Sequence, residues 1–157
     1  MKLNVVELTK ETIPFVYEVY EQNRVILHGN YVTLDDWYEF IIGRYADQFE
    51  KHFIVMYKNI PVAWLKINGL NKTTICISML VVAIPYQHRG IGKYALKYAE
   101  SYARSKKKSA ILIQTTKDNI IATEFYIKYG YNKIREMIYK VGDGVDREGY
   151  EFMKELN

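Results

Sequence analysis

The chain has 157 residues, 49% of them hydrophobic, which suits one folded domain and excludes a disordered chain. No apolar run approaches the ~20 residues of a membrane span, and charge at Glu7 and Lys10 comes too early for a secretory h-region. A cytoplasmic location is therefore expected. The net charge of +4 favours anionic ligands without arguing for nucleic acid, and the single cysteine, Cys76, excludes a disulfide framework and a thiolate zinc cluster.

Leu3–Leu8 reads as a first strand. Thr9 reads as the N-cap and Thr12 begins the apolar period of a helix that runs to about Asn23, with Ile13, Val16, Tyr17 and Tyr20 on one face. His28-Gly29-Asn30 is a loop, and Thr33 or Asp35 starts a second helix that groups Trp37, Phe40 and Ile41. Phe53–Tyr57 alternates and is closed by the turn signal Lys58-Asn59. Val62–Leu70 and Thr73–Val82 flank Asn71-Lys72 as an antiparallel hairpin. Cys76, inside this apolar run, reads as a small core residue.

A helix is expected from Gly90 to about Lys108, with Ile91, Ala95, Ala99 and Tyr102 on one stripe. From Gln87 to Lys108 there are seven Lys or Arg against one Glu, and the Lys106-Lys107-Lys108 end suits a helix C-terminus. Ala110–Thr115 is a short apolar strand, expected at the centre of the sheet. Asp118 or Asn119 caps another helix, which Gly130 ends. Tyr131–Val141 and Tyr150–Leu156 are the last strands, separated by a Gly142–Gly149 loop. The order β-α-α-β-β-β-α-β-α-β-β predicts a mixed α/β (α+β) fold, its sheet mostly antiparallel and flanked by helices on both faces.

The segment Gln87-His88-Arg89-Gly90-Ile91-Gly92-Lys93 joins an apolar strand to a long helix. Strand, glycine turn and helix start together present unpaired backbone N–H groups and the positive end of a helix dipole, a setting for a phosphorylated ligand. It is not a Rossmann loop, because Ala95 stands where a third glycine belongs and Gln114-Thr115 ends the next strand without an acidic residue. It is not a Walker loop either, because Tyr94 follows Lys93 at the hydroxyl position.

Three signatures together resemble the GNAT superfamily of N-acetyltransferases. One is Gln/Arg-x-x-Gly-x-Gly/Ala, met by Gln87, Gly90 and Gly92. A second is the Leu-x-Val strand ending, met by Leu80 and Val82. The third is Asn-x-x-Ala-x-x-Phe-Tyr-x-Lys-x-Gly-Tyr, met by Asn119, Ala122, Phe125, Tyr126, Lys128, Gly130 and Tyr131. The resemblance implies a GNAT-like sheet and acetyl-CoA (coenzyme A) as cofactor. Its diphosphate would be held by Gln87, His88, Arg89, Gly90, Ile91, Gly92 and Lys93, its pantetheine by backbone groups of Leu80, Val81 and Val82, with Asn119 also in contact. Tyr126 would be the general acid that protonates the departing thiolate, in a direct transfer to a primary amine without a metal.

For the acceptor, a small-molecule amine or polyamine is favoured over a peptide. It is expected to enter over Val25–Trp37 and the Gly142–Gly149 loop, with Tyr31, Trp37 and Tyr38 shaping its pocket. No nucleic acid or membrane is expected as partner, and a homodimer is left open. The general base has no obvious owner. Neither central strand carries a carboxylate, which leaves Asp35, Asp36, Glu39, His28, or a water held by Ser78 or Gln114. That gap motivates an alternative, a non-catalytic acyl-CoA-binding sensor or interaction module.

Overall fold

A computed structural model describes residues 1–157. Strand β1 (Leu3–Glu7) leads through a 3-10 turn at Lys10–Thr12 into α1 (Ile13–Asn23) and α2 (Leu34–Ile41). Then come β2 (Lys51–Tyr57), β3 (Ile60–Asn68) and β4 (Thr74–Val82), a 3-10 turn at Ile84–Tyr86, and α3 (Ile91–Ser105). Strand β5 (Ala110–Thr116), α4 (Ile120–Lys128), β6 (Asn132–Lys140) and β7 (Asp146–Glu155) complete the chain. The strands form one seven-stranded sheet in the order β1-β2-β3-β4-β5-β7-β6, antiparallel everywhere except between β4 and β5. No helix is long and apolar enough to cross a membrane.

Local chemistry accounts for most boundaries. The β2–β3 hairpin turns on Lys58 and Asn59, both at positive φ (48° and 64°), as a tight turn matched to strand twist requires. Helix α2 starts at Thr33, whose hydroxyl accepts from Asp36 N at 3.1 Å while Asp36 Oδ2 accepts from Thr33 N at 3.1 Å. Helix α3 ends at Ser105, short of Lys108, because Lys107 turns to φ 58° and leaves the helix.

The strand β7 begins at Asp146, four residues before its expected start. The Gly142–Gly149 loop shrinks accordingly, and Gly149 lies within the ladder, opposite Thr116 and Met137. Cross-strand pairing decides this: Gly149 leaves no room for a Cβ, which would meet the Thr115 carbonyl at 2.7 Å and the Tyr139 ring. The glycine that looks like a loop residue is a close-approach site in a strand.

Alternation along the strands splits the core. On one face, Phe53, Leu65, Ile75, Ile111 and Phe152 pack against Leu96, Ala99 and Ala103 of α3 and Tyr126 of α4. On the other, Ile54, Trp64 and Val81 pack against Ile13, Val16, Val19 and Tyr20 of α1 and Trp37 of α2. Helices α1 and α2 cover only the β2–β4 half of their face. The β5-β7-β6 half of that face carries no helix, so its residues are free to line a site.

One buried charge braces the α3 side. Glu100, 2% exposed, accepts from Lys154 Nζ at 3.0 Å, Lys97 Nζ at 3.2 Å and the Tyr131 hydroxyl at 3.3 Å. Lys154 Nζ also donates to the Tyr129 carbonyl at 3.1 Å, which ties β7 to the end of α4. Removing one partner of a buried pair strands the other in a poorly solvating interior. Glu100→Ala is expected to lower unfolding stability by about 3 kcal/mol in urea melts. Lys97→Ala, at the half-exposed member, is expected to cost under about 1 kcal/mol.

Candidate active site

The site arises where β4 leaves β5. The two strands pair only at Thr74–Ala110, Ile75–Ile111 and Cys76–Leu112, and then separate although both continue. A bulge at the parting point helps: Lys66 faces Met79 and Ile67 faces Ile77, which leaves Ser78 as the extra residue on β4. Past the bulge, Ala83 N donates to the Val62 carbonyl at 2.9 Å, with Val82 opposite Ala63. Hydrogen-bonding positions alternate along an antiparallel ladder, so Val81 and Met79 face β3. Leu80 and Val82 therefore turn their N–H and C=O groups into the gap.

The gap ends on the loop before α3. Gln87 ties this loop down: its Nε2 donates to the Val82 carbonyl at 3.0 Å and to Asn23 Oδ1 of α1 at 3.2 Å. His88 at φ 60° and Gly90 at φ 81° then curl the backbone. The first main-chain bond of the helix is Tyr94 N to Gly90 O at 3.0 Å, and no amide from His88 to Lys93 finds a main-chain acceptor. Left-handed turns before a helix start collect such amides into an anion-binding concavity.

A cavity of about 510 Å³ joins these parts. Leu80, Val81, Val82, Gln87, His88, Gly90, Gly92, Lys93, Asn119 and Tyr126, all named from the sequence, are brought together in its lining. Phe125, Tyr129 and Ile121 add an apolar wall, and Lys128 a second cation beside Lys93. Two expected contacts differ. The Ile91 side chain is buried in the core beside Val62 and Ala95, so only its amide is available. Arg89 lies outside the lining, its guanidinium 5.6 Å from the Tyr86 ring centre.

Asn119 caps α4, its Oδ1 accepting from Ala122 N at 3.2 Å, which leaves its Nδ2 as the free donor at the cavity. Tyr126 follows two turns on, 8% exposed, packed against Phe125, Tyr131 and Phe152. Burial pushes its hydroxyl pKa well above the ordinary value, and the nearby Cys76 thiol adds to the shift. The group is thus a neutral phenol, a donor held ready beside the gap.

A second cavity of about 300 Å³ adjoins the first and shares Ile26, Leu27 and Asn119 with it. It sits on the uncovered half of the sheet, floored by Cys76, Ser78 and Gln114, with Tyr139, Val141 and Gly142 opposite. Cys76 is therefore not a plain core residue. It is half-buried at the cavity floor, and burial pushes its thiol up to about 11, so it stays an unreactive thiol. The expected entry segments supply Ile26, Leu27 and Gly142.

The expected aromatics Tyr31, Trp37 and Tyr38 line neither cavity. Trp37 is buried in the core, edge-on to Tyr20 and Trp64, with Tyr38 packed against the same cluster, and Tyr31 is 67% exposed. The carboxylates of α2 are also elsewhere. Asp36 serves the helix cap, Glu39 holds Arg44 at 3.1 Å, and Asp35 is exposed. His28 meets Asp118 Oδ2 through Nε2 at 2.7 Å, and its carbonyl accepts from Asp143 N at 2.9 Å. That clamp closes the α1–α2 segment onto the β6–β7 turn. His52 is structural, accepting from Trp64 Nε1 at 3.1 Å, and burial holds its pKa below the usual value.

A group that pattern reading misses is Glu151, 7% exposed on β7 beneath Gln114. Its neighbours come from β5 and β6, far away in sequence, so no local motif announces it.

The family model for the "Acetyltransferase (GNAT) family" matches residues 13–131. An uncharacterized N-acetyltransferase of Lactobacillus delbrueckii subsp. lactis is 33% identical over 76 residues, spanning 48% of this chain and 41% of that protein's length. The spermidine N-acetyltransferase of Vibrio cholerae, solved with CoA and spermine, superposes with TM-score 0.84 at 15% identity over 98% of this chain and 95% of that one. The ribosomal-protein-S18-alanine N-acetyltransferase of Escherichia coli superposes with TM-score 0.77 at 13% identity, covering 99% of this chain and 95% of that one. The split between β4 and β5, the free amides before α3 and the match across both place the chain in the GNAT family of acetyltransferases.

Proposed function

We propose that the protein is an acetyl-CoA-dependent N-acetyltransferase acting on a small-molecule primary amine or polyamine. One observation carries this: a gap edged by the polar groups of Leu80 and the N–H of Val82, none of them paired to a neighbouring strand, runs into six successive unpaired amides, His88 to Lys93. Pantetheine carries amides that pair with a strand edge, and a diphosphate suits the amide concavity with Lys93 and Lys128 beside it. Acetyl-CoA held in that direction would supply the thioester whose acetyl group is transferred.

The chain's own groups then have defined work. An N–H such as that of Leu80 polarises the thioester carbonyl and holds the tetrahedral oxyanion. The amine nitrogen forms a C–N bond as the C–S bond breaks. Tyr126 gives its proton to the leaving thiolate, and the amine's surplus proton passes to water. Phenol and thiol have ordinary pKa values of about 10 and about 8.5, so the proton transfer is nearly balanced before burial shifts either.

Tyr126→Phe is expected to lower kcat by about 100-fold, leaving the KM for acetyl-CoA unchanged, as read by free-thiol release. A sensor module that only binds acyl-CoA would bind CoA equally before and after this change and show no wild-type thiol release.

The pH dependence follows from the direction of the Tyr126 shift. The acid must be protonated to act, and its proton is present below its pKa. Because burial raises that pKa, the wild-type rate should show no alkaline decline below about pH 10, the ordinary tyrosine value. A descending limb near pH 8 in a kcat profile would remove Tyr126 from the acid role.

Gly90→Val forces a branched side chain into φ 81° and is expected to weaken coenzyme A binding about tenfold in calorimetry, through strain on the order of 1–3 kcal/mol. The same change at Gly144, φ 77° with open space around it, carries similar strain and should leave that affinity intact.

A further inference from the structure

The second cavity has a lining without a single ionised side chain. Its floor nevertheless rests on an ion pair between the buried Glu151 and the 58% exposed Arg135. Gln114 Nε2 donates to Glu151 Oε2 at 2.8 Å, and Glu151 Oε1 accepts from Arg135 Nε at 3.0 Å. The three residues stand in register across β5, β7 and β6, on the uncovered face of the sheet. The Gln114 hydrogen bond and then Arg135 hold the Glu151 carboxyl below its usual range, against the opposing effect of burial.

This order fixes an amide. A carboxylate only accepts, so the end of Gln114 that meets Glu151 must be its NH₂. Its carbonyl oxygen is the end left for the cavity that Gln114 lines. Arg135 holds the other oxygen of Glu151, so the group the floor presents is the Gln114 amide oxygen rather than the carboxylate.

We propose that Gln114, locked by Glu151 and Arg135, positions the acceptor through its carbonyl oxygen, and that the acceptor is a monoamine with an uncharged polar body rather than a polyamine. The inference rests on the transferase reading above. An ammonium entering this cavity meets no carboxylate in its lining, only the Gln114 oxygen and other neutral groups. The Gln114 oxygen then takes one N–H of that amine and orients it. A polyamine carries further ammonium groups, and the lining has no anion to receive them.

The experiment is steady-state acetyl transfer to ethanolamine, glucosamine and spermidine, with coenzyme A binding measured in parallel. At least one of the two monoamines is expected to exceed spermidine in kcat/KM by about tenfold or more. Gln114→Leu should raise that monoamine's KM by about tenfold while the KM for acetyl-CoA stays fixed. Glu151→Gln, which lets the amide turn over, should move the same acceptor KM in the same direction. A preference for spermidine, or an acceptor KM unmoved by Gln114→Leu, overturns this inference and leaves the transferase reading standing. Coenzyme A binding without transfer to any of the three amines overturns the transferase reading, and this inference with it. Should both variants fail to fold, the wild-type ranking of the three amines decides.

Discussion

The structure depends on a parallel pair of strands that stops pairing. Strands β4 and β5 share three positions and then part at the Ser78 bulge. Each unpaired peptide group in a dry interior costs on the order of 1–3 kcal/mol, so a sheet opened in its middle persists only where something else meets its edges. Here the edges are met by cavities instead of protein. The rest of the molecule is arranged to hold that opening: α3 and α4 pack on one face, α1 spans the other, and Gln87 staples the loop to β4 and α1 at once.

The same opening divides the electrostatics. At its loop end, free amides, a helix start and Lys93 and Lys128 build positive potential. At its far end the lining is neutral, because the one carboxylate beneath it is already paired with Arg135. The proposed anionic cofactor and its acceptor would thus meet opposite ends of the opening. The raised pKa of Tyr126 fits the proposed acid role, in which the phenol would keep its proton until a thiolate forms.

Much of this was legible in the residues and some was not. Glycine spacing, the strand ending and the Asn119–Tyr131 pattern located the first cavity because each expresses a local constraint: a positive φ, a cap, two turns of one helix. The acceptor end was misjudged for a physical reason. Trp37 repeats at helical spacing with Phe40 and Ile41, and that pattern is the same whether the ring faces a ligand or a core; contact with Tyr20 and Trp64 decides it. Gly149 looked like a loop residue because a strand glycine is recognised only by what its missing Cβ would strike. Glu151 could not be found at all without register, since Gln114 and Arg135 come from two other strands.

The absence of a carboxylate on the central strands, which from sequence alone argued against turnover, takes a different meaning once the second cavity is described. A carboxylate facing an amine does two opposing things. It accepts a proton, but it also stabilises the ammonium it is meant to deprotonate. A paired carboxylate one layer below the lining avoids the second effect and still fixes the group above it. In that arrangement Glu151 would act through the orientation of Gln114 instead of through its own proton.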